Sequence, residues 1–120
     1  MKQVNRDYRD GQIVIQGASE ENLEEFYLLL SGKLVVEYSD RTSGQVRQEL
    51  GPNAFFGLVS PLLGVPRTAT VRAVGNAQVR AFVVESPDAS LEIARMDAAT
   101  LAKLLAHLAW CVHERSTERL

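Results

Sequence analysis

The chain is poor in the residues that form disulfides and metal sites. Its 120 residues include one cysteine and two histidines. A single cysteine rules out an internal disulfide, and these three side chains are too few for the four ligands of a structural zinc site. His107 and His113 lie about 240° apart around a predicted helix, so they do not chelate one ion together. We therefore expect no metal site, and we expect Cys111 to pack as a small apolar residue.

Long apolar runs and an excess of one charge are also absent. No apolar stretch approaches the ~20 residues of a membrane helix, and none follows Met1 as it would in a signal peptide. The formal net charge is −2 and the pI is about 5.7, which leaves no basic footprint for nucleic acid. We expect a cytoplasmic protein without a membrane or nucleic-acid partner.

Signals of catalysis are missing as well. No serine lies in a Gly-x-Ser-x-Gly context, which is the setting of the nucleophile in many hydrolases. Roll-shaped enzymes of the cupin type hold a metal through histidines on their strands, and this sequence has no histidine before His107. We expect no catalytic residue and no enzymatic activity.

Short apolar or alternating segments fill the first two thirds of the chain. With 46% hydrophobic and 23% charged residues, the chain can form one domain, 1–120, with its own core. Turn signals such as Ser31-Gly32 and Gly75-Asn76 separate the segments, a rhythm typical of antiparallel rolls. Seven of the expected strands cover 4–8, 12–16, 26–31, 33–38, 46–50, 68–73 and 77–84. We predict a mainly β fold, an eight-stranded antiparallel double-stranded β-helix (jelly roll) over about residues 4–84.

C-terminal α-helices are predicted after the roll, over about residues 88–117. Asp88 precedes a short helix over 89–96, and Asp97 is the expected N-cap of a longer helix that runs to about Arg115. The longer helix carries one apolar stripe, which is either a dimer interface or a cover for the roll of the same subunit. Trp110 lies roughly opposite the stripe, as a lid on a bound purine or in a subunit contact. We expect a homodimer through the stripe residues Leu101, Leu104, Leu105, Leu108 and Val112.

The most informative stretch runs from Phe55 to Ala73. In it, a Phe-Gly turn at Gly57 lies ten residues before Arg67. Glycine lets backbone amides approach an anion closely, and the guanidinium fork of an arginine binds two phosphate oxygens at once. This spacing predicts a pocket for one phosphate.

The same stretch resembles the phosphate-binding cassette of the cyclic-nucleotide-binding domain family, through Phe56, Gly57, Pro66, Arg67 and Ala69. The resemblance extends from about Val4 to Val84. It implies a domain that binds cAMP or cGMP as a ligand and needs no further cofactor. The implied ligand-binding residues are Phe56, Gly57, Leu58, Val59, Ser60, Arg67, Thr68 and Ala69.

Leu58 departs from the family pattern, which has a glutamate there as the acceptor for the ribose 2′-hydroxyl. A leucine cannot accept that bond, so we expect binding to be weaker by about one to two decades and to discriminate poorly against a 2′-deoxy ligand. By the same reasoning, Leu58→Glu should strengthen ribonucleotide binding. The phosphate would lie on Arg67, on the Thr68 hydroxyl and on amides of the Gly57 turn, with Arg67 partly solvated and dispensable for folding. A surface ion pair is the other interpretation of Arg67.

Two functions remain open at this point. One is a stand-alone sensor domain for a cyclic mononucleotide, and the other is a ligand-free roll that acts as a protein-interaction or dimerisation module. Few residues follow Arg115, so we expect no helix-turn-helix after the long helix. We expect the output to pass through another copy of the chain or an unidentified protein partner.

Overall fold

The computed structural model describes residues 1–40 and 42–114, and in them it shows an antiparallel roll of six strands with C-terminal helices. The order along the sheet is β1-β6-β3-β4, with β2 paired to β6 and β5 paired to β3. The predicted mainly β fold with C-terminal helices is confirmed. The strands are β1 (Lys2–Tyr8), β2 (Ile13–Ile15), β3 (Glu25–Asp40), β4 (Gly44–Leu50), β5 (Phe55–Phe56) and β6 (Thr70–Val83); the helices are α1 (Val59–Leu63), α2 (Ala89–Ala94) and α3 (Ala98–His113).

Two long strands, β3 and β6, form the frame of the roll. They pair with each other from Glu25 opposite Val83 to Glu37 opposite Thr70. The predicted number of eight strands is wrong for the described residues, because pairs of predicted segments merge into β3 and into β6. At Gly32, φ is +90°, and a Cβ there would collide with the backbone oxygen of Asn76. The glycine therefore bends β3 sharply against β6 and does not end it.

Side chains alternate along β3 and divide the core into two apolar clusters. Tyr27 and Leu29 face the inside of the roll, whereas Phe26 and Leu28 face the helices. The interior cluster consists of Ile15, Tyr27, Leu29, Leu34, Val36, Leu50, Phe56, Ala69, Val71, Ala73, Ala77, Val79 and Ala81. The helix-side cluster consists of Phe26, Leu28, Phe55, Leu58, Phe82, Val84, Ala89, Ile93 and Leu104.

The helices begin where the sequence predicts. The Asp88 side chain accepts a hydrogen bond from the amide of Leu91 at 3.0 Å, and Asp97 accepts one from the amide of Thr100 at 2.9 Å. These N-caps satisfy amides that have no partner within the helix. The expected end of the last helix, about Arg115 to residue 117, lies outside the described residues. No helix in the described part of the chain is long and apolar enough to cross a membrane.

The apolar stripe of α3 does not form one surface. Leu104 belongs to the helix-side cluster, and Leu101 and Leu108 pack against it. Leu105 and Val112 are 65% and 73% exposed. The first three residues therefore cover the roll of their own chain, and only the other two present an uncovered apolar surface.

Candidate functional site: the Gly57 turn and Arg67

The structure brings the two halves of the predicted phosphate cassette together. Gly57 has φ +78°, a conformation that favours glycine, and α1 begins two residues later. Arg67 precedes β6, and its Nη1 donates to the backbone oxygen of Gly57 at 2.9 Å. The turn and the guanidinium are thus in direct contact.

Arg67 is almost completely buried, with 5% of its surface exposed. Its Nη2 donates to the backbone oxygens of Asn22 at 2.5 Å and Glu25 at 2.8 Å. Burial lowers the pKa of Arg67 below its usual value, although the phenol of Tyr27 and the charge of Glu25 act in the opposite direction. The expectation of a partly solvated Arg67 is wrong, and so is the interpretation as a surface ion pair. The guanidinium is a buried donor to backbone carbonyls.

The ring of Tyr27 completes the packing around this contact. The Arg67 Cζ lies 5.7 Å from the ring centroid, within the range of a cation–π interaction. A Cβ added to Gly57 would lie 2.9 Å from Tyr27 Cδ2 and 3.2 Å from Arg67 Nη1. Glycine is therefore required at position 57 for space as well as for its backbone conformation.

A buried carboxylate lies beside the cassette. Glu25 is 4% exposed, and its two oxygens accept hydrogen bonds from Arg6 at 2.7 and 3.0 Å and from the Tyr27 hydroxyl at 2.8 Å. Burial alone would raise the pKa of Glu25, but the hydrogen bonds from Arg6 and Tyr27 and the charges of Arg6 and Arg67 lower it overall. Glu25 is therefore held in its ionised form.

Leu58 does not share the surroundings of Arg67. It is 3% exposed and lies in the helix-side cluster with Phe55, Ile93 and Leu104. A carboxylate at this position would be surrounded by apolar side chains, where an unpaired charge is expensive. The sequence-based expectation that Leu58→Glu strengthens ligand binding therefore no longer fits the structure, and we expect destabilisation instead.

The other implied ligand-binding residues are spread over different environments. Phe56 and Ala69 are buried in the interior cluster, Ser60 is buried in α1, and Val59 is half-buried. Thr68 is exposed, and it lines a depression of about 380 Å³ that also includes Gly17, Tyr38 and Thr70. The Thr68 hydroxyl is thus open to solvent beside a buried Arg67.

Trp110 lies in another part of the surface. It is 43% exposed and lines a depression of about 450 Å³ together with Lys103, His107 and residues 49–54. Neither Gly57 nor Arg67 lines that depression. The structure therefore does not place Trp110 over the cassette. Nearby, Cys111 is buried as expected, with its Sγ 3.4 Å from His107 Nε2.

Comparison with known proteins agrees with this geometry. Residues 5–88 match the model of a family described as the cyclic nucleotide-binding domain. The chain belongs to that family. The matched range covers the roll, α1 and the cassette, so the family assignment rests on the part of the molecule that contains the Gly57 turn and Arg67.

This cyclic nucleotide-binding domain is similar to parts of several longer proteins. It is 30% identical over 73 residues to a cAMP-dependent protein kinase regulatory subunit of Dictyostelium discoideum, a match that covers 58% of this chain and 22% of the subunit. The fold is similar to that of the catabolite activator protein of Thermus thermophilus, with a TM-score of 0.69 at 24% identity over 94% of this chain and 51% of that one. It also resembles the regulatory subunit of a cAMP-independent protein kinase A of Trypanosoma brucei, with a TM-score of 0.60 at 20% identity over 68% and 29% of the two chains. The chain thus spans about half or less of the length of these relatives.

Sequence reasoning missed the residues that surround Arg67. Arg6 could have been noticed, because side chains alternate along a strand and Arg6 lies on the same, inward side of β1 as Val4 and Tyr8. Asn22 and Glu25 contact Arg67 through backbone oxygens, and a backbone acceptor leaves no mark on the sequence. Their role is visible only in the folded chain.

Proposed function

We propose that this domain is a regulatory sensor that binds the phosphate of a cyclic mononucleotide, cAMP or cGMP, at the Gly57 turn and Arg67. One observation carries the proposal: Arg67 is a buried cation whose three hydrogen-bond acceptors are all neutral backbone oxygens. The nearest buried carboxylate, Glu25, is already engaged by Arg6. A phosphate at the turn would add a negative charge in direct contact with the guanidinium.

Binding requires Arg67 to exchange partners. Both N–H groups of Nη2 are used by Asn22 and Glu25, so a two-point contact with phosphate that includes Nη2 releases at least one of these oxygens. Charge-assisted hydrogen bonds are roughly twice as strong as neutral ones, which favours the exchange. The exchange would loosen the segment before β3 and so give the ligand a mechanical effect on the domain.

The ribose of the ligand gains fewer hydrogen bonds in this proposal than the family pattern implies. Leu58 lies among apolar side chains and offers no acceptor, so the 2′-hydroxyl gains no bond from position 58. We expect cAMP and 2′-deoxy-cAMP to bind with similar affinity, because a site rejects a missing hydroxyl only where its own polar group would be left unpaired.

A ligand-free interaction module is the second candidate function. It is favoured by the burial of Arg67 and by the apolar surroundings of Leu58, which together describe a cassette that is already satisfied within the chain. In both functions the chain acts in the cytoplasm without catalysing a reaction. A homodimer through Leu105 and Val112, or an unidentified protein partner, carries the output.

Calorimetric titration of cAMP, cGMP and 2′-deoxy-cAMP into the protein tests the ligand proposal. Arg67→Lys keeps the charge but loses the fork, and it should lower affinity about tenfold. Arg80→Lys is the matched control on β6, because Arg80 is partly exposed and donates to the side chain of Asn5; it should bind as the unmodified chain does. A folded chain that binds none of the ligands at millimolar concentration would support the interaction module. Equal binding by Arg67→Lys would place the site elsewhere.

A further inference from the structure

We propose that Glu25 is a positioning residue for Arg67, acting through a buried set of contacts that begins at Arg6 on β1 and includes Tyr27. This inference rests on the proposed function for its ligand, but its structural part concerns the ligand-free chain. It gives β1 control over the orientation of the phosphate-binding guanidinium.

The first step is the fixation of the Glu25 side chain. Arg6 binds both carboxylate oxygens, and the Tyr27 hydroxyl binds one of them. A buried carboxylate with this set of donors has little freedom to rotate. Removal of either donor would leave a buried charge with too few partners, so the group is stable only as a complete set.

The second step connects Glu25 to Arg67. The backbone oxygen of Glu25 accepts from Arg67 Nη2 at 2.8 Å, and the ring of Tyr27 lies against the same guanidinium. The backbone of Glu25 and the ring of Tyr27 thus hold Arg67 together with the oxygens of Asn22 and Gly57. The Asn22 oxygen also accepts the amide of Glu25 at 3.1 Å.

The position of Glu25 in the strand explains why this fixation matters. Glu25 is the first residue of β3, where it lies opposite Val83 on β6. On its N-terminal side the strand ends, and the Glu24 oxygen accepts from the amide of Val84 at 2.9 Å. The ion pair with Arg6 anchors the strand end at the point where its oxygens turn toward Arg67.

The direction in which Glu25→Gln changes the affinity for an anion distinguishes a positioning role from an effect of charge alone. Glu25→Gln removes a negative charge near the proposed phosphate site, so electrostatics alone would raise the affinity for an anion. If Glu25 positions Arg67, the same change lowers that affinity, because the guanidinium loses the fixed Glu25 oxygen and Tyr27 ring that hold it while the phosphate displaces the Asn22 oxygen. Glu24→Gln is the matched control, since Glu24 is the exposed neighbour and loses the same charge outside the buried set.

The test combines two measurements on the folded chain. Rotation and hydrogen exchange of the Arg67 guanidinium are followed by NMR without ligand, and cAMP is titrated by calorimetry. We expect Glu25→Gln and Arg6→Gln to speed both guanidinium motions and to lower cAMP affinity about tenfold. Tyr27→Phe keeps the ring and loses one bond to the carboxylate, and it should produce a smaller change in the same direction. Glu24→Gln should leave the motions unchanged and the affinity equal or higher.

The possible results distinguish the positioning role of Glu25 from the proposed binding of a cyclic nucleotide. Unchanged guanidinium motion in Glu25→Gln and Tyr27→Phe would overturn the positioning role, whether or not cAMP binds. Faster motion in a chain that binds no cyclic nucleotide would uphold the positioning role and contradict the proposed function. If Glu25→Gln does not fold, Tyr27→Phe decides by the same two measurements. An affinity that rises equally in Glu25→Gln and Glu24→Gln would show that the charge alone matters.

Discussion

Two positions of one cassette, Arg67 and Leu58, have opposite surroundings. Arg67 lies on the roll side, between backbone oxygens, the Tyr27 ring and the charge of Glu25. Leu58 lies on the helix side, in an apolar cluster that includes residues of α2 and α3. The two positions are therefore held by different parts of the molecule. A substitution of Arg67 should destabilise the roll, and a substitution of Leu58 should weaken the contact between the roll and the helices.

The largest effect is expected for Leu58→Glu. A carboxylate there enters the helix-side cluster without a partner, so the free energy of unfolding should fall by about 3–5 kcal/mol at neutral pH. Because burial raises the pKa of a carboxyl group, the loss should be smaller at pH 4 than at pH 8. Chemical denaturation at the two pH values measures this. Leu58→Met, the volume-conserving control, should cost less than about 1.5 kcal/mol; equal stability of Leu58→Glu and Leu58→Met would contradict the assignment of Leu58 to the cluster.

Arg67→Ala should have the next largest effect. It removes the guanidinium donor from three backbone oxygens, of which the oxygen of Asn22 also accepts from the amide of Glu25, so we expect a loss of about 2–4 kcal/mol of unfolding free energy. Arg72→Ala removes a partly exposed arginine paired to Glu37 and should cost no more than about 1 kcal/mol. Urea titration of both variants tests the difference. If Arg67→Ala is as stable as the unmodified chain, the guanidinium does not contribute to the stability of the roll.

The ion pair at Glu25 should make the free energy of unfolding depend on pH in the acidic range. The folded pKa of Glu25 lies below the ordinary value of 4.5, so its stabilising contribution is complete above pH 4.5 and is lost as the pH falls below that value. At pH 7 the unmodified chain should be more stable than Glu25→Gln by about 2 kcal/mol. Denaturation from pH 7 to pH 3 should show this difference shrinking, whereas a constant difference would assign no ionisation-dependent role to Glu25.

The smallest effect on unfolding is expected at the exposed half of the stripe. Leu105→Glu should change the free energy of unfolding of the monomer by no more than about 0.5 kcal/mol, whereas Leu104→Ala should cost about 2–5 kcal/mol through the cavity it leaves. Light scattering of the same variants tests the proposed homodimer. Leu105→Glu should make the protein monomeric, and an unmodified chain that is already monomeric at micromolar concentration contradicts the dimer.

The sequence predicted those features whose cause is local. The contact between Gly57 and Arg67 follows from a spacing that the family uses, and Asp88 and Asp97 are helix caps within their own segments. The strand number was wrong because Gly32 has the composition of a turn, although packing against Asn76 makes it a bend within one strand.

The environment of the site could not be read from the sequence. Arg67 meets Asn22 across 45 positions and Glu25 across 42 positions, and both contacts use backbone oxygens that any residue would supply. Leu58 could face either cluster, since a leucine after a glycine turn suits both. Only the register of β5 against β3, with Phe55 opposite Leu28, brings this segment beside the helix-side cluster.

The pairing of β3 with β6 has a consequence for the synthesis of the chain. β6 begins 30 residues after β3 ends, so at about 5–20 residues per second the ribosome needs about 2–6 s to supply the partner strand. During that time β3, the longest of the described strands, has only β4 and β5 to pair with, and its other edge is free to join strands of neighbouring chains. We expect yield of soluble protein to depend on translation speed and on chaperones that cover an open strand edge.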